Sequence, residues 1–113
     1  MTKVTVFKNG EIYTKLICEG HADYGVKGED IVCSALSSIV NTAVLGFTAV
    51  AGANVNLVRD EKIPLIEIEI PANLALDVAH DVQVIFATLM CGISDLHSEY
   101  SDFIELEVKD VFY

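Results

Sequence analysis

The sequence predicts an α+β fold, a single two-layer domain in which a five-stranded, largely antiparallel sheet packs against two helices in the order ββαββαβ. Three observations support this fold class. Five short segments alternate apolar and polar residues, which is the period of a strand. Two longer segments repeat apolar residues at three- and four-residue steps, which is the period of a helix. A chain of 113 residues, 52% of them hydrophobic, can bury one core but hardly two, so residues 1–113 are expected to form one domain.

The first three elements are two strands and a helix. Strands are predicted over residues 2–8 and 11–18, joined by an Asn9-Gly10 hairpin turn. The helix is expected to begin at Asp30 as its N-cap, which places Cys33 in the first turn, and to end near residue 51 or 52. An apolar stripe on this helix is expected to face the core, and it consists of Leu36, Ile39, Val40, Ala43, Phe47 and Val50.

The remaining elements are a second hairpin, a second helix and a last strand. Strands are predicted over residues 54–59 and 63–70, with a turn at 60–62 and glutamates on the solvent face. Pro71 and Asn73 end that hairpin and start a helix that is expected to end near His97. Its apolar residues at helical spacing are Val78, Val82, Ile85, Leu89, Ile93 and Leu96. Residues 103–108 alternate again and form the last strand.

Charge and composition restrict the possible partners and the location. The 17 acidic residues against 7 Lys and Arg give a net charge of -10, so a nucleic-acid backbone would be repelled and a basic polypeptide is the more natural partner. The N-terminus alternates without the apolar run of a secretory signal, and the three cysteines form no spaced cluster, so a reducing cytoplasm is expected.

The segment from residue 31 to 58 carries no charge and is long enough to cross a bilayer. Serine, threonine, asparagine and glycine residues interrupt it, so we expect no membrane span. A helix buried against the sheet, or also against a second subunit, accounts for this composition better.

A thiol and an imidazole stand twelve positions apart, at Cys33 and His21. His21 lies at the end of the second predicted strand and Cys33 at the start of the helix, with Gly20, Gly25 and Gly28 giving the intervening loop conformational freedom. A thiolate is favoured by a nearby imidazolium and by the positive end of a helix. The segment therefore predicts a cysteine nucleophile with His21 as its base or ion-pair partner.

Two neighbouring residues have alternative interpretations. Asp30 can orient His21 in a Cys/His/Asp arrangement or cap the helix, and these roles are compatible. Ser37 lies one turn beyond Cys33, where its hydroxyl can contact the thiol or the reacting carbonyl, or bond back to a helix carbonyl. From the residues alone, a cysteine early in so apolar a helix is more often part of the core than a nucleophile.

Residues 20–22 (GHA), the glycine-bearing loop and residues 30–35 (DIVCSA) resemble the signature of the ribosomal-processing cysteine protease family, Prp. Length and element order also match that family along nearly the whole chain. The resemblance implies a homodimeric cytoplasmic endopeptidase without metal or cofactor, with His21 and Cys33 as its dyad and Asp30 and Ser37 in support. It also implies the substrate, the twenty-seventh large-subunit ribosomal protein, which loses a short N-terminal extension by cleavage after an aromatic residue.

Functions of other classes are also compatible with the residues. A non-catalytic dimeric module could bind basic peptides or ribosomal proteins along an acidic groove or a sheet edge. Cys33 could instead be a redox centre, although no resolving cysteine lies within a short motif of it. A zinc site at His21, Asp30 and Cys33 would lack a paired Cys-x-x-Cys element, so no metal is expected.

Four further titratable residues are expected to have no role in chemistry. His80 and His97 on the second helix have no ligand partner at helical spacing and are predicted to be structural or solvated. Cys18 and Cys91 are predicted to be buried, inert thiols.

Overall fold

The computed structural model describes residues 1–20, 29–60 and 65–111. Its strands are β1 (Thr2–Asn9), β2 (Ile12–Gly20), β3 (Asn56–Asp60), β4 (Leu65–Glu69) and β5 (Ile104–Asp110). Its helices are α1 (Glu29–Ala49) and α2 (Leu76–Glu99). The predicted order ββαββαβ is confirmed.

The five strands form one sheet in the order β3-β4-β2-β1-β5. All neighbouring strands are antiparallel except β1 and β5, which are parallel, so the prediction of a largely antiparallel sheet is confirmed. β1 is therefore paired on both sides, whereas β3 lies at one edge. The face away from the helices carries the ion pairs Lys3–Glu107 at 3.6 Å and Lys15–Glu67 at 2.6 Å, which is typical of a solvated sheet face.

The β1–β2 hairpin differs by one residue from the sequence prediction. Asn9 pairs with Ile12, so the two-residue loop is Gly10-Glu11 and not Asn9-Gly10. Gly10 has φ of 62°, and a glycine at the first loop position is the arrangement that a type II′ turn requires. A bulge between Phe7 and Lys8 then shifts the register by one residue along the rest of the hairpin.

Both helices cover the same face of the sheet and share one core. α1 contributes Val32, Leu36, Val40, Ala43, Phe47 and Ala51 just beyond its end, and α2 contributes Val82, Phe86, Leu89, Met90 and Ile93. They pack against sheet residues such as Val4, Val6, Leu16 and Ile68, which are fully buried. Val50 was predicted on the core face of α1 but is 77% exposed, because Phe47 and Ala51 occupy that face as the helix ends.

The two helices approach each other closely at two glycines. A Cβ atom on Gly46 would lie 3.4 Å from Ile85 Cγ2, and one on Gly92 would lie 3.4 Å from Ile39 Cγ2. These pairings, in which residue numbers rise on one helix as they fall on the other, show that α1 and α2 run antiparallel. By length and composition alone, α2 and residues 31–49 of α1 are long and apolar enough to cross a membrane, as the core helices of many proteins are.

Both helix starts differ from the sequence prediction. α1 begins at Glu29, so residue 30 is the second residue of the helix and not its N-cap. Acidic residues are favoured both at the N-cap and within the first turn, so their presence does not fix the boundary. α2 begins only at Leu76, because residues 72 and 73 form a turn between β4 and α2. Its N-cap is Ala75, which provides no side-chain hydrogen bond.

Gln83 and Phe86 attach α2 to the hairpin end of the sheet. The Tyr13 N–H donates to Gln83 Oε1 at 2.8 Å, and Gln83 Nε2 donates to the Tyr13 carbonyl at 2.8 Å. The Tyr13 ring stacks on Phe86 with centroids 4.7 Å apart. Because β1 runs from Thr2 to Asn9, this anchor lies at the opposite end of the sheet from Thr2 and Gly20.

Candidate active site

Cys33 is the fifth residue of α1, because the helix begins at Glu29. It was predicted in the first turn, but it opens the second turn. In an α-helix the amide N–H groups of the first turn have no acceptor within the helix, whereas those of the second turn have one. The free amides of this helix start therefore precede Cys33 along the chain. The thiol is half-buried and free of any disulfide.

The sulfur of Cys33 contacts a hydroxyl from the sheet. Cys33 Sγ and Thr2 Oγ1 are 3.2 Å apart, and either atom can act as the donor. Thr2 is the first residue of β1 and is only 5% exposed. Its partner across the ladder is Gly20, the last residue of β2. The contact therefore joins the start of α1 to the end of the sheet from which the chain continues to His21.

Cys33 lines a cavity of about 260 Å³ between α1 and the end of the sheet. Among the described residues, β1, β2, β3 and β4 contribute to its wall together with α1. Its described apolar residues are Leu36, Val40, Leu65 and Ile66, and its other described residues are Thr2, Cys18, Gly20, Cys33, Ser37, Arg59 and Asp60. Such a cavity offers apolar contact for a side chain beside the Cys33 sulfur.

Arg59 places a positive charge in this wall. It lies near the end of β3, and its Nη2 donates a hydrogen bond to Asn41 Oδ1 of α1. That bond holds the guanidinium between the edge strand and the helix. Asp60, the next residue, lines the same cavity, so the charged residues of the described wall come from one strand end.

The structure brings some of the sequence-predicted residues together and leaves others untested. Gly20 and Ser37 line the same cavity as Cys33. His21, Gly25 and Gly28 lie outside the described residues, and so does the side chain of Asp30. The distance from His21 to Cys33, and the role of Asp30, therefore stay predictions.

The other two cysteines differ from each other. Cys18 is buried, as predicted, and desolvation by burial raises the pKa of its thiol from the usual 9.0 to about 12. Cys91 was predicted to be buried but is exposed. It lies two residues from the buried Leu89, a step of about 200° around a helix, which turns it away from the core. With a pKa of about 12, the Cys18 thiol stays protonated and is not a nucleophile at neutral pH.

Cys33 is the half-buried thiol of the cavity wall. In the described part of the chain, no group of three or more His, Cys, Asp or Glu side chains is placed to hold a metal ion. His80 is solvent-exposed, and its Nδ1 lies 3.2 Å from Asp81 Oδ1. A half-buried thiol beside an apolar cavity is suited to attack the carbonyl carbon of a bound peptide.

Sequence reasoning missed Thr2, Arg59 and Asp60. Thr2 had one usable signal, since it stands in the alternation with Val4 and Val6 that defines the core face of β1. No sequence pattern indicated Arg59 and Asp60, because the pairing of β3 with β4 is what brings them to the cavity.

Known proteins and protein families resemble this chain in sequence and in fold. The sequence profile of the family described as "Cysteine protease Prp" matches residues 1–105. A Staphylococcus aureus protein named Ribosomal processing cysteine protease Prp is 27% identical over 107 residues, which is 94% of this chain and 95% of that protein.

Two solved structures have similar folds, and both are of an essential ribosomal processing protease Prp from S. aureus. The structure in complex with a substrate peptide has a TM-score of 0.85 and 24% identity, covering 96% of this chain and all of that one. The structure with a covalently linked product peptide has a TM-score of 0.82 and 25% identity, with the same coverage.

Proposed function

This chain belongs to the Prp family of cysteine proteases, and from that premise we propose that it removes the N-terminal extension of the twenty-seventh large-subunit ribosomal protein, with Cys33 as nucleophile and His21 as base. The cysteine endopeptidase activity follows from the family. The substrate and the roles of the two residues are the proposal.

The position of Cys33 is the observation that carries the proposal. Of the three cysteines, Cys18 is buried with a raised pKa and Cys91 is exposed on α2, whereas Cys33 lies beside the cavity near a helix start. Gly20, the residue before His21, lines the same cavity. A peptide bound there would meet the sulfur at the end of the sheet where His21 follows in the sequence.

Cleavage then proceeds in two steps. The Cys33 thiolate attacks the scissile carbonyl carbon, the C–N bond breaks, and protonated His21 gives its proton to the leaving amine. Neutral His21 then takes a proton from water, the hydroxide attacks the thioester carbon, and the C–S bond breaks. The thiolate and the acid product are released, and the acid loses its proton to solvent. The amide N–H groups at the helix start near Cys33 are candidate donors to the oxyanion that forms in each step, since they belong to the positive end of α1.

The similar S. aureus structures support this assignment. One of them holds a substrate peptide and another a covalently linked product peptide. A covalent link between protease and product is what nucleophilic catalysis forms on its pathway. By similarity, we assign a peptide substrate and a covalent intermediate to this chain.

Charge supports a basic protein substrate that is not yet bound to RNA. The net charge of -10 attracts a basic ribosomal protein and repels nucleic acid, so free substrate should be the better one. We place the reaction in the cytoplasm, with no nucleic-acid or membrane partner. Faster cleavage of RNA-bound than of free ribosomal protein would contradict this part of the proposal.

We also propose a homodimer in which two copies meet across the helical face, defined by Ile31, Leu45, Val50 and Val84. These four apolar side chains are all more than half exposed. Ile31 and Leu45 lie two heptad steps apart on one side of α1, and Val50 and Val84 line an adjoining groove of about 390 Å³ between the helices. Copies with a charge of -10 repel each other, and α1 carries no charge from residue 31 to 49. Its outer surface is therefore the best place for self-association.

Mass spectrometry of a peptide spanning the N-terminal extension tests the protease proposal. Wild-type protein should cut the peptide once, Cys33→Ala should not cut it, and Cys91→Ala should cut it like wild type. An intact peptide and an intact whole substrate after incubation with wild type would favour a binding module. Cleavage by Cys33→Ala would exclude Cys33 as the nucleophile.

Sedimentation of wild type and two variants tests the dimer. Leu45→Asp places a charge on the helical face and should yield monomers. Leu76→Asp is the matched control, because Leu76 is 90% exposed at the start of α2 and is not part of that face. Dimers that persist in Leu45→Asp, or monomeric wild type, would refute the proposed interface.

A further inference from the structure

We propose that Thr2 is a positioning residue for the nucleophile, whose hydroxyl donates a hydrogen bond to the Cys33 thiolate and orients the sulfur toward the cavity. This inference rests on the proposed function, in which Cys33 attacks the substrate. It adds a residue from the opposite layer of the fold to the reaction.

The contact has the geometry and the burial that this role requires. Thr2 Oγ1 lies 3.2 Å from Cys33 Sγ, within hydrogen-bond range for sulfur. A hydroxyl can donate or accept, whereas a thiolate can only accept, so the hydroxyl must donate once the sulfur is ionised. Because Thr2 is almost fully buried, water competes little for that hydrogen bond.

The hydroxyl is presented by a rigid part of the sheet. β1 is paired on both sides, and Thr2 faces Gly20 of β2 and Ile104 of β5. The Thr2 N–H also donates to the Phe103 carbonyl at 2.8 Å. Gly20 directly precedes His21. Thr2 therefore pairs with the strand end before the proposed base and also contacts the proposed nucleophile.

Packing alone does not require a hydroxyl at this position. Thr2 shares the core face of β1 with Val4 and Val6, both fully buried. A valine has nearly the shape of threonine and would continue that apolar series. Among the buried residues of this face, Thr2 is thus the polar exception, and its hydroxyl lies where the face reaches the Cys33 sulfur.

A hydrogen bond to the thiolate acts at both ends of the reaction. It stabilises the ionised nucleophile more than the neutral thiol, because hydrogen bonds to charged acceptors are stronger. It is weakened when the sulfur becomes an uncharged thioester, and it forms again when water breaks the C–S bond and the thiolate leaves. Thr2 gives up no proton in either step.

The test compares Thr2→Val, which removes the hydroxyl, with Thr2→Ser, which keeps it, in a Cys91→Ala background. The rate of alkylation of Cys33 by iodoacetamide is followed across pH by intact mass. In Thr2→Val the rate at neutral pH should fall about tenfold, equivalent to about 1.4 kcal/mol, and the pH profile should move to higher pH. Thr2→Ser should restore both.

Thr5→Val is the matched control, because Thr5 is also buried in β1 but on the opposite face. Its alkylation profile should equal that of the background protein. If Thr2→Val fails to fold, Thr2→Ala against Thr2→Ser gives the same comparison. A profile unchanged by loss of the hydroxyl, a Thr2→Ser variant as slow as Thr2→Val, or an equal effect of Thr5→Val would overturn the inference.

Failure of the inference is distinguishable from failure of the proposed function. Alkylation reports on the sulfur without any substrate. If Thr2→Val changes alkylation as expected but wild type cuts no ribosomal peptide, the substrate is wrong and the role of Thr2 in orienting the thiolate stands. If wild type cuts the peptide and the alkylation profile is unchanged in Thr2→Val, Thr2 has no such role.

Discussion

Raising the pH above about 9 is expected to destabilise the folded protein through Cys18. Burial raises the pKa of this thiol from 9.0 to about 12 in the folded state. Between these values the unfolded chain has lost the proton and the folded chain still holds it. Because the unfolded state then binds fewer protons, the free energy of unfolding falls as pH rises. The contribution is fully present below pH 9 and is lost by about pH 12.

The size of the effect follows from the two pKa values. Each pH unit between them is worth about 1.4 kcal/mol, so the full loss approaches about 4 kcal/mol. At pH 10 the loss is about 1 kcal/mol and at pH 11 about 3 kcal/mol. Losses of this size are a large fraction of the stability of a small domain, which is typically about 5–15 kcal/mol.

Urea unfolding of wild type and Cys18→Val at several pH values isolates this contribution. Valine is apolar and does not titrate. The unfolding free energy of wild type minus that of Cys18→Val should therefore fall by the amounts above. Lysines and tyrosines titrate in both proteins and cancel in the difference. Cys91→Val is the control, because it removes a thiol that is exposed to solvent, and its curve should run parallel to that of wild type. A wild-type to Cys18→Val difference that stays constant from pH 7 to pH 11 would refute the reasoning.

Three further predictions concern packing and access. Phe86→Ala should lower the free energy of urea unfolding by about 3–5 kcal/mol, because Phe86 is fully buried and stacks on Tyr13, whereas Leu76→Ala should change it by less than about 0.5 kcal/mol. Gln83→Leu should cost about 1–3 kcal/mol and speed hydrogen exchange of the Tyr13 amide, which loses its acceptor; unchanged exchange would contradict this. Cys18 should resist alkylation at pH 8 until urea unfolds the protein, and rapid labelling of the native state would disagree with its burial.

The sequence predicted the elements and their order because these depend on local patterns. Alternation identified the strands, and three- and four-residue repeats identified both helices. Boundaries were predicted less well. The hairpin loop moved by one residue, and α2 begins at Leu76 after a turn that its propensities did not reveal. The exposure of Val50 and Cys91 depends on how each helix is rotated on the sheet, which small errors in the periodicity obscure.

The β-bulge is the clearest case of a feature that the sequence did not indicate. Without it, a strict two-residue hairpin would pair Val6 with Lys15, whereas the bulge pairs Val6 with Leu16 and Thr2 with Gly20. A register shift of one residue moves side chains to the other face of a sheet. Burial of the apolar set under both helices selects the bulged register, and this is a tertiary effect.

The sequence by itself determined the fold class, the candidate thiol and its place near a helix start, because periodicity and residue chemistry act over a few neighbouring positions. Tertiary structure decided what surrounds that thiol. Thr2 contacts Cys33 across thirty-one positions, and Arg59 reaches the same cavity from the edge of the sheet. Such contacts depend on strand register and on the rotation of α1 over the sheet. Only the burial of the whole apolar core fixes these two quantities.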